Sequence, residues 1–141
     1  MPVMVSTHPR TRVRLEALAR KDLEGITFHE PFGYLDYNKL QLDSKCVISD
    51  SGTISEESSI TGFSAVSLRD SIERPEALES GSMILTGVDP ATLLQAIEIE
   101  TTLMRTAVIP EGYETFEFSG RVLKFLISTA GKHKNWKGLR S

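Results

Sequence analysis

Apolar residues along this chain come in short runs, separated by longer stretches in which they recur every three or four positions. Val3-Met4-Val5 is the first run and, with Ser6-Thr7, predicts a strand. From Pro9 to Lys21 the apolar residues Val13, Leu15, Leu18 and Ala19 are spread among charges, which predicts a helix. Ile26-Thr27-Phe28 predicts a second strand. Tyr34 to Leu42 predicts a helix with Leu35, Leu40 and Leu42 inward, and Asp36 early enough to suit the helix dipole. Cys46 to Ser49 is a third strand, Ile54 to Ile60 a short helix ended by Thr61-Gly62, and Ser64 to Leu68 a fourth strand. Pro75 fits a first helical turn, so a brief helix runs to Glu79 and stops near Gly81. Met83-Ile84-Leu85 is the fifth strand. Asp89 is then an N-cap candidate with Pro90 at the first helical position, launching a helix to about Met104 with Leu93, Leu94, Ile97 and Ile99 on its core face.

Repeated strand–helix alternation with apolar strands implies an α/β fold, Rossmann-like, with a mainly parallel sheet. Ligands of such sheets bind beyond the carboxyl ends of the strands, which is where Ser51 falls. The rhythm breaks over residues 105–112, which contain Pro110 and Gly112. Ser119 to Thr129 then predicts a terminal helix carrying Val122, Leu123, Phe125, Leu126 and Ile127. Two parts follow from this: a Rossmann-like domain over residues 1–104, and a linker, helix and basic tail over residues 105–141.

Composition narrows the classes. At 141 residues the chain can bury the core of one domain, and a net charge of −3 gives no argument for binding nucleic acid or a membrane. Basic residues do collect late: Arg121, Lys124, Lys132, Lys134, Lys137 and Arg140 follow the last acid, Glu117. A solvated helix face with a basic tail accounts for them, and contact with an acidic partner is the alternative. Trp136 lies among these residues and could dock outside the domain. The single cysteine excludes an internal disulfide and suits a reducing cytoplasm. Cys46 lies in an apolar strand run and reads as a small core residue rather than a nucleophile. No run reaches the roughly 18 apolar residues of a membrane span. His8, His29 and His133 are scattered without metal-ligand spacing, and no cofactor is expected.

The chemistry concentrates in Asp50-Ser51-Gly52-Thr53-Ile54-Ser55-Glu56-Glu57 and in Arg69-Asp70-Ser71-Ile72-Glu73-Arg74-Pro75-Glu76. The first is a strand–turn–helix junction whose Ser51-Gly52 pair meets free N–H groups and the positive end of a helix dipole, a setting for phosphate. Ser51 lacks the Gly-x-Ser-x-Gly pattern of an activated nucleophile, so phosphate contact is its better role. Glu56 and Glu57 point about 100° apart on a helix, so one of them holding a ligand is favoured over both acting on one atom. Glu57 is placed to accept hydrogen bonds from sugar hydroxyls. Arg69 or Arg74 could clamp an anion, although Arg74 could equally pair with its acidic neighbours. His8 stands at a strand end, either facing a ligand or as a surface histidine. Tyr37 is either core packing or a platform for a base. Together these residues describe a nucleotide-diphosphate site.

In their order, Ser6-Thr7-His8-Pro9, Gly33-Tyr34-Leu35-Asp36-Tyr37, Asp50 to Glu57 and Leu68 to Ala77 resemble the C-terminal half of the non-hydrolysing UDP-N-acetylglucosamine 2-epimerase family, over roughly residues 3–104. The resemblance implies part of the C-terminal domain of a two-domain, glycosyltransferase-B-type fold with UDP-sugar in the interdomain cleft. It implies Tyr37 against the uracil, Ser51 and Gly52 on the diphosphate, Glu57 on the ribose, and His8 and Arg74 near the nucleotide and phosphates. Thr53 departs from the second glycine common in the family's turn. Ser119-x-Arg121-Val122 and the late Trp136-Lys137 resemble, more loosely, the subgroup that forms UDP-N-acetyl-L-fucosamine for capsule or O-antigen.

The family inverts C2 by removing its proton, eliminating UDP and re-adding it. Its catalytic carboxylates and a catalytic histidine are implied to lie in an N-terminal part that this sequence does not contain. The chain is therefore expected to bind UDP or a UDP-N-acetylhexosamine, to need that half for turnover, and to be inactive alone, with homodimerisation an expectation for the full-length protein. A glycosyltransferase-B transferase domain or a standalone nucleotide-sugar-binding module is the alternative.

Overall fold

Strand β1 (Val3–Ser6) leads through helix α1 (Pro9–Ala17) to β2 (Ile26–His29), α2 (Tyr34–Asp43), β3 (Val47–Ser49) and α3 (Ile54–Thr61). The chain continues through β4 (Ala65–Ser67), α4 (Glu76–Glu79), β5 (Met83–Leu85) and α5 (Pro90–Thr102) to α6 (Phe118–Thr129). This is a computed structural model, and it describes residues 2–17, 23–103 and 109–132. Leu18, Ala19, Lys21, Met104, His133, Lys134, Trp136, Lys137 and Arg140, which carried expectations above, lie outside the described residues. Among the described residues no helix is long and apolar enough to cross a membrane.

Each strand pairing in the described residues is parallel, and a helix makes each crossover, so the α/β architecture is as expected. Hydrogen bonding divides the strands into two sheets. In one, β1 pairs with β2, with Val3 opposite Ile26 and Ser6 opposite His29. In the other, β4 is central, with Val47, Ala65 and Met83 in one row and Ser49, Ser67 and Leu85 in another. β1 and β3 share no ladder, so each keeps an unpaired edge.

The core sits on the second sheet. Ala65, Val66 and Ser67 of β4 are all buried, and Val47, Ile54, Phe63, Ala77 and Met83 cluster with Ala65, with Ile72 and Leu78 packed against them. Helix α3 packs on β4 through Ile54, Ser55, Ser58 and Ser59. Serines suit this close approach because their hydroxyls bond back into their own helix: Ser59 Oγ donates to the Ser55 carbonyl at 2.6 Å, and Ser58 Oγ to the same oxygen at 3.3 Å. Gly62 ends α3 with φ 92°, a conformation that a side chain disfavours. Asp89 caps α5 as expected, its Oδ2 accepting from Thr92 N at 2.8 Å with Pro90 next. Thr92 Oγ1 donates to the same oxygen at 2.7 Å, and these two bonds, backbone first, hold the Asp89 carboxyl below its ordinary range.

Two helices present different faces from those expected. On α2, Leu35 is 79% exposed and Leu40 and Leu42 are also exposed, while Gln41 is the buried residue at 3%. On α5, Leu94 and Ile99 point outward; Ala96 is buried and Leu93 and Ile97 are half-buried beside it. The terminal helix forms, but Val122, Leu123, Phe125, Leu126 and Ile127 are exposed, so its apolar stripe is uncovered by the described residues.

Cys46 is half-buried, and burial, then the Glu100 carboxylate, push its thiol up to about 11. At pH 7.5 only on the order of one molecule in a few thousand would carry the thiolate. Alkylation by iodoacetamide, followed by mass spectrometry, is expected to be slow at neutral pH and to keep accelerating well above pH 9. Rapid labelling of folded protein at pH 7.5 would contradict this.

Candidate functional site

The Asp50–Thr53 turn carries the chain from the carboxyl end of β3 into α3. Small polar side chains knit it: Ser51 N donates to Ser49 Oγ at 3.0 Å, and Thr53 N donates to Ser51 Oγ at 3.3 Å. Thr53 is the residue before the helix, with φ −89° and ψ −4°, yet its hydroxyl does not cap the helix N–H groups. It donates instead to Glu57 Oε1 at 2.7 Å, one turn along. Ser51 Oγ lies 3.0 Å from Thr53 Oγ1. Because the Thr53 proton is committed to the carboxylate, Ser51 is the donor in that pair. The N–H groups ahead of Glu57 N have no carbonyl a turn behind them, and they face this corner with the positive end of the α3 dipole.

Glu57 is held from a second element. Gln41 Nε2, on α2, donates to Glu57 Oε2 at 2.9 Å. Tyr37 is on the same face of α2, one turn earlier, and is half-buried. Its phenol is raised above its ordinary value by burial first, and then by the negative charges of Glu57 and Asp50. Tyr37, Gln41, Ser51, Thr53 and Glu57 thus surround one corner.

Glu56 turns the other way, as the angular separation of neighbouring helix positions requires. Its Oε1 forms an ion pair with Arg74 Nε, and its Oε2 accepts from Ser55 Oγ at 2.7 Å. Arg74 Nη1 also donates to the Gly52 carbonyl at 3.4 Å. Arg74 therefore braces the turn from behind. Tyr113 extends this bracing, donating its hydroxyl to Glu76 Oε1 at 3.1 Å; burial and that bond push its phenol up to about 12. Arg69 stands closer to the turn's open side. A side chain at Gly52 would bring a Cβ within 3.1 Å of Arg69 Nη1, and among the described residues the ion pair of that guanidinium is with Glu73 at 3.9 Å, a pair too exposed to hold it firmly.

Of the residues expected at the site, Tyr37, Ser51, Gly52 and Glu57 come together, with Arg74 directly behind them. His8 shares no hydrogen bond or ion pair with them among the described residues. It follows β1 in the other sheet, is exposed, and its Nδ1 accepts from Arg10 N at 3.2 Å. Its placement does share one property with Ser51: both stand at the carboxyl end of a parallel strand. Gln41 was missed, although its i, i+4 spacing from Tyr37 would have put it on the same helix face. Thr53, where the sequence departs from the second glycine of the family's turn, bonds both Glu57 and Ser51.

The family profile described as UDP-N-acetylglucosamine 2-epimerase matches residues 1–126. A UDP-N-acetylglucosamine 2-epimerase from Methanocaldococcus jannaschii is 35% identical over 114 residues, covering 78% of this chain and 31% of that protein. The structure of UDP-N-acetylglucosamine 2-epimerase from Rickettsia bellii superposes with a TM-score of 0.86 at 35% identity, over 99% of this chain and 40% of that one. The Methanocaldococcus jannaschii UDP-GlcNAc 2-epimerase in complex with UDP-GlcNAc and UDP superposes with a TM-score of 0.78 at 31% identity, over 90% of this chain and 36% of that one. The chain therefore spans less than half the length of the relatives it matches.

Proposed function

This chain belongs to the UDP-N-acetylglucosamine 2-epimerase family, and from that premise we propose that it is the part of such an isomerase that holds the uridine diphosphate of a UDP-N-acetylhexosamine. The observation that carries the proposal is the fixed Glu57 carboxylate beside the Ser51-Gly52 turn, a sugar-hydroxyl acceptor next to a phosphate cradle. Tyr37 lines the uracil, the amides of the turn and Ser51 take the diphosphate, and Glu57 takes the ribose. The relay leaves Ser51 free to turn its proton outward without disturbing Thr53 on Glu57. Arg74, behind the turn, contributes positive charge to the phosphates, and His8 approaches the nucleotide from the end of β1.

In the reaction the proton leaves C2 of the sugar and the C1–O bond breaks with its electron pair going to UDP, leaving a C1–C2 double bond; UDP then adds back to C1 as a proton returns to the opposite face of C2. This chain's task is to stabilise charge on the departing diphosphate, using the α3 N-terminus and the guanidinium groups. Residues 1–104 form the UDP-binding part and residues 105–141 the linker, helix and tail, in a glycosyltransferase-B-type protein of the cytoplasm. The carboxylates that move the proton belong to the additional length of the relatives, so the chain alone turns nothing over, and the full-length protein is a homodimer. The apolar stripe of α6 suits contact with that additional part. The product serves capsule or O-antigen synthesis, with the UDP-N-acetyl-L-fucosamine-forming subgroup as the finer assignment.

Thermal unfolding with added UDP tests this. UDP is expected to raise the midpoint, uridine to do so far less, and Ser51→Ala to weaken UDP binding about tenfold, the worth of one charge-assisted hydrogen bond. A folded chain whose midpoint ignores millimolar UDP would overturn the proposal.

A further inference from the structure

We propose that Gln41 and Thr53 are positioning residues that lock the Glu57 carboxylate for the vicinal hydroxyls of a ribose, and so set this site's preference for ribonucleotides over their deoxy analogues. The inference rests on the nucleotide reading above. Three observations carry it.

The first is that the two oxygens of Glu57 are anchored from different elements. Thr53 Oγ1 holds Oε1 from the turn and Gln41 Nε2 holds Oε2 from α2, at 2.7 and 2.9 Å. A glutamate side chain is otherwise free about several bonds, and a ligand would have to order it. Here the ordering is complete before a ligand arrives. A carboxylate has about four lone-pair positions, so each oxygen still has capacity for one hydroxyl.

The second lies at Gln41. The side chain is 3% exposed, and its Oε1 has no hydrogen-bond partner among the described residues. Turning the amide over would set oxygen against carboxylate, so the contact to Glu57 fixes which way the amide points, with its Oε1 left in a buried spot that offers no donor among the described residues. An apolar residue here would avoid that cost, on a helix whose neighbouring positions are Leu40 and Leu42. The contact to Glu57 is the one favourable polar interaction that this buried amide makes in the described structure.

The third is Thr53, which stands at the helix start where a threonine hydroxyl ordinarily accepts from a helix N–H. It gives up that cap to reach Glu57, and Ser51 donates to it in turn. The turn that would meet phosphate and the carboxylate that would meet ribose are thereby one connected unit.

The test compares affinities of the chain for UDP and for 2′,3′-dideoxy-UDP by calorimetry, alongside thermal stability without ligand. The wild-type chain is expected to favour UDP by roughly 100-fold, from two hydroxyls bonded to a charged acceptor. Gln41→Leu is expected to reduce that preference about tenfold while leaving dideoxy-UDP binding within about twofold, since the lost element is alignment of the hydroxyl acceptor. Thr53→Val is expected to reduce the preference as much, on top of a loss shared by both ligands because it also unties Ser51. Thr53→Ser, which keeps the hydroxyl, is expected to restore it. A purely structural role would weaken both ligands together, and the ratio would not move. If Gln41→Leu does not fold, the comparison of Thr53→Val with Thr53→Ser decides. A wild-type chain that ignores UDP would sink the nucleotide reading itself. Wild-type discrimination that survives intact in both variants would overturn this inference alone.

Discussion

Replacing Ile54 by alanine is expected to lower the unfolding free energy by about 3 kcal/mol, within the range of about 2–5 kcal/mol for removing a buried branched side chain. Ile54 is 2% exposed and sits in the cluster with Val47, Phe63, Ala65, Ala77 and Met83. Its neighbours are Val47, Ala65 and Met83 on the three-stranded ladder, Ala77 of α4 and Phe63 in the short link between α3 and β4, so little around it can move inward to fill the space. Against a total of about 5–15 kcal/mol for a typical domain, the loss is large. Urea titration should show a lower midpoint at an unchanged slope. A change below about 1 kcal/mol would show that this cluster is not what holds the second sheet and its helices together. Because Ile54 is the first residue of α3, directly after Thr53, the same substitution loosens the turn. UDP should therefore recover less stability in the variant than in the parent.

Glu57→Ala is expected to weaken UDP binding about 100-fold and to leave binding of inorganic pyrophosphate nearly unchanged. Each hydroxyl bonded to a carboxylate is worth about 1.5–3 kcal/mol, and the ribose offers two. The phosphates, on the proposed reading, would meet the turn and guanidinium groups, which the substitution leaves in place. An internal check is available at Tyr37. Burial is the main reason its phenol is raised, and the Glu57 charge is the next. Removing that charge should bring the phenol part of the way back toward its ordinary value, readable by ultraviolet titration. Equal losses for UDP and pyrophosphate would place Glu57 at the phosphates or in the fold, not at the sugar.

The strand–helix alternation and the junction at Ser51 were legible because they depend on local chemistry. Apolar runs of strand length, Asp89-Pro90 at a helix start and Gly62 at a helix end each act within a few residues. Which face a helix turns inward depends on partners distant in sequence, and there the pattern misled. Four apolar residues on α5 do not say which of them turn inward, and Leu94 and Ile99 lie outside while Ala96 is the buried one. On α2 the leucines were the natural inward set, yet the buried position belongs to Gln41, whose reason for being there is a carboxylate sixteen residues later. Arg74 shows the same limit. Charge spacing offered it to a phosphate or to a neighbouring acid, and its nearest bonds turned out to be with Glu56 and Gly52, contacts that only the folded turn creates. The division of strands between two sheets was likewise invisible, since ladder partners are set by tertiary register.

That division leaves the molecule with two hydrogen-bonded frames, so the amides of β1 and β2 are expected to exchange with solvent independently of those of β3, β4 and β5. His8 is carried by the first frame and Ser51 by the second. A nucleotide touching both would act as a cross-link between them, and opening either frame would then require releasing the ligand. Slowed exchange would spread to backbone at the far end of the ladder, such as Val3 against Ile26, so that the nucleotide itself serves as a structural member of the fold.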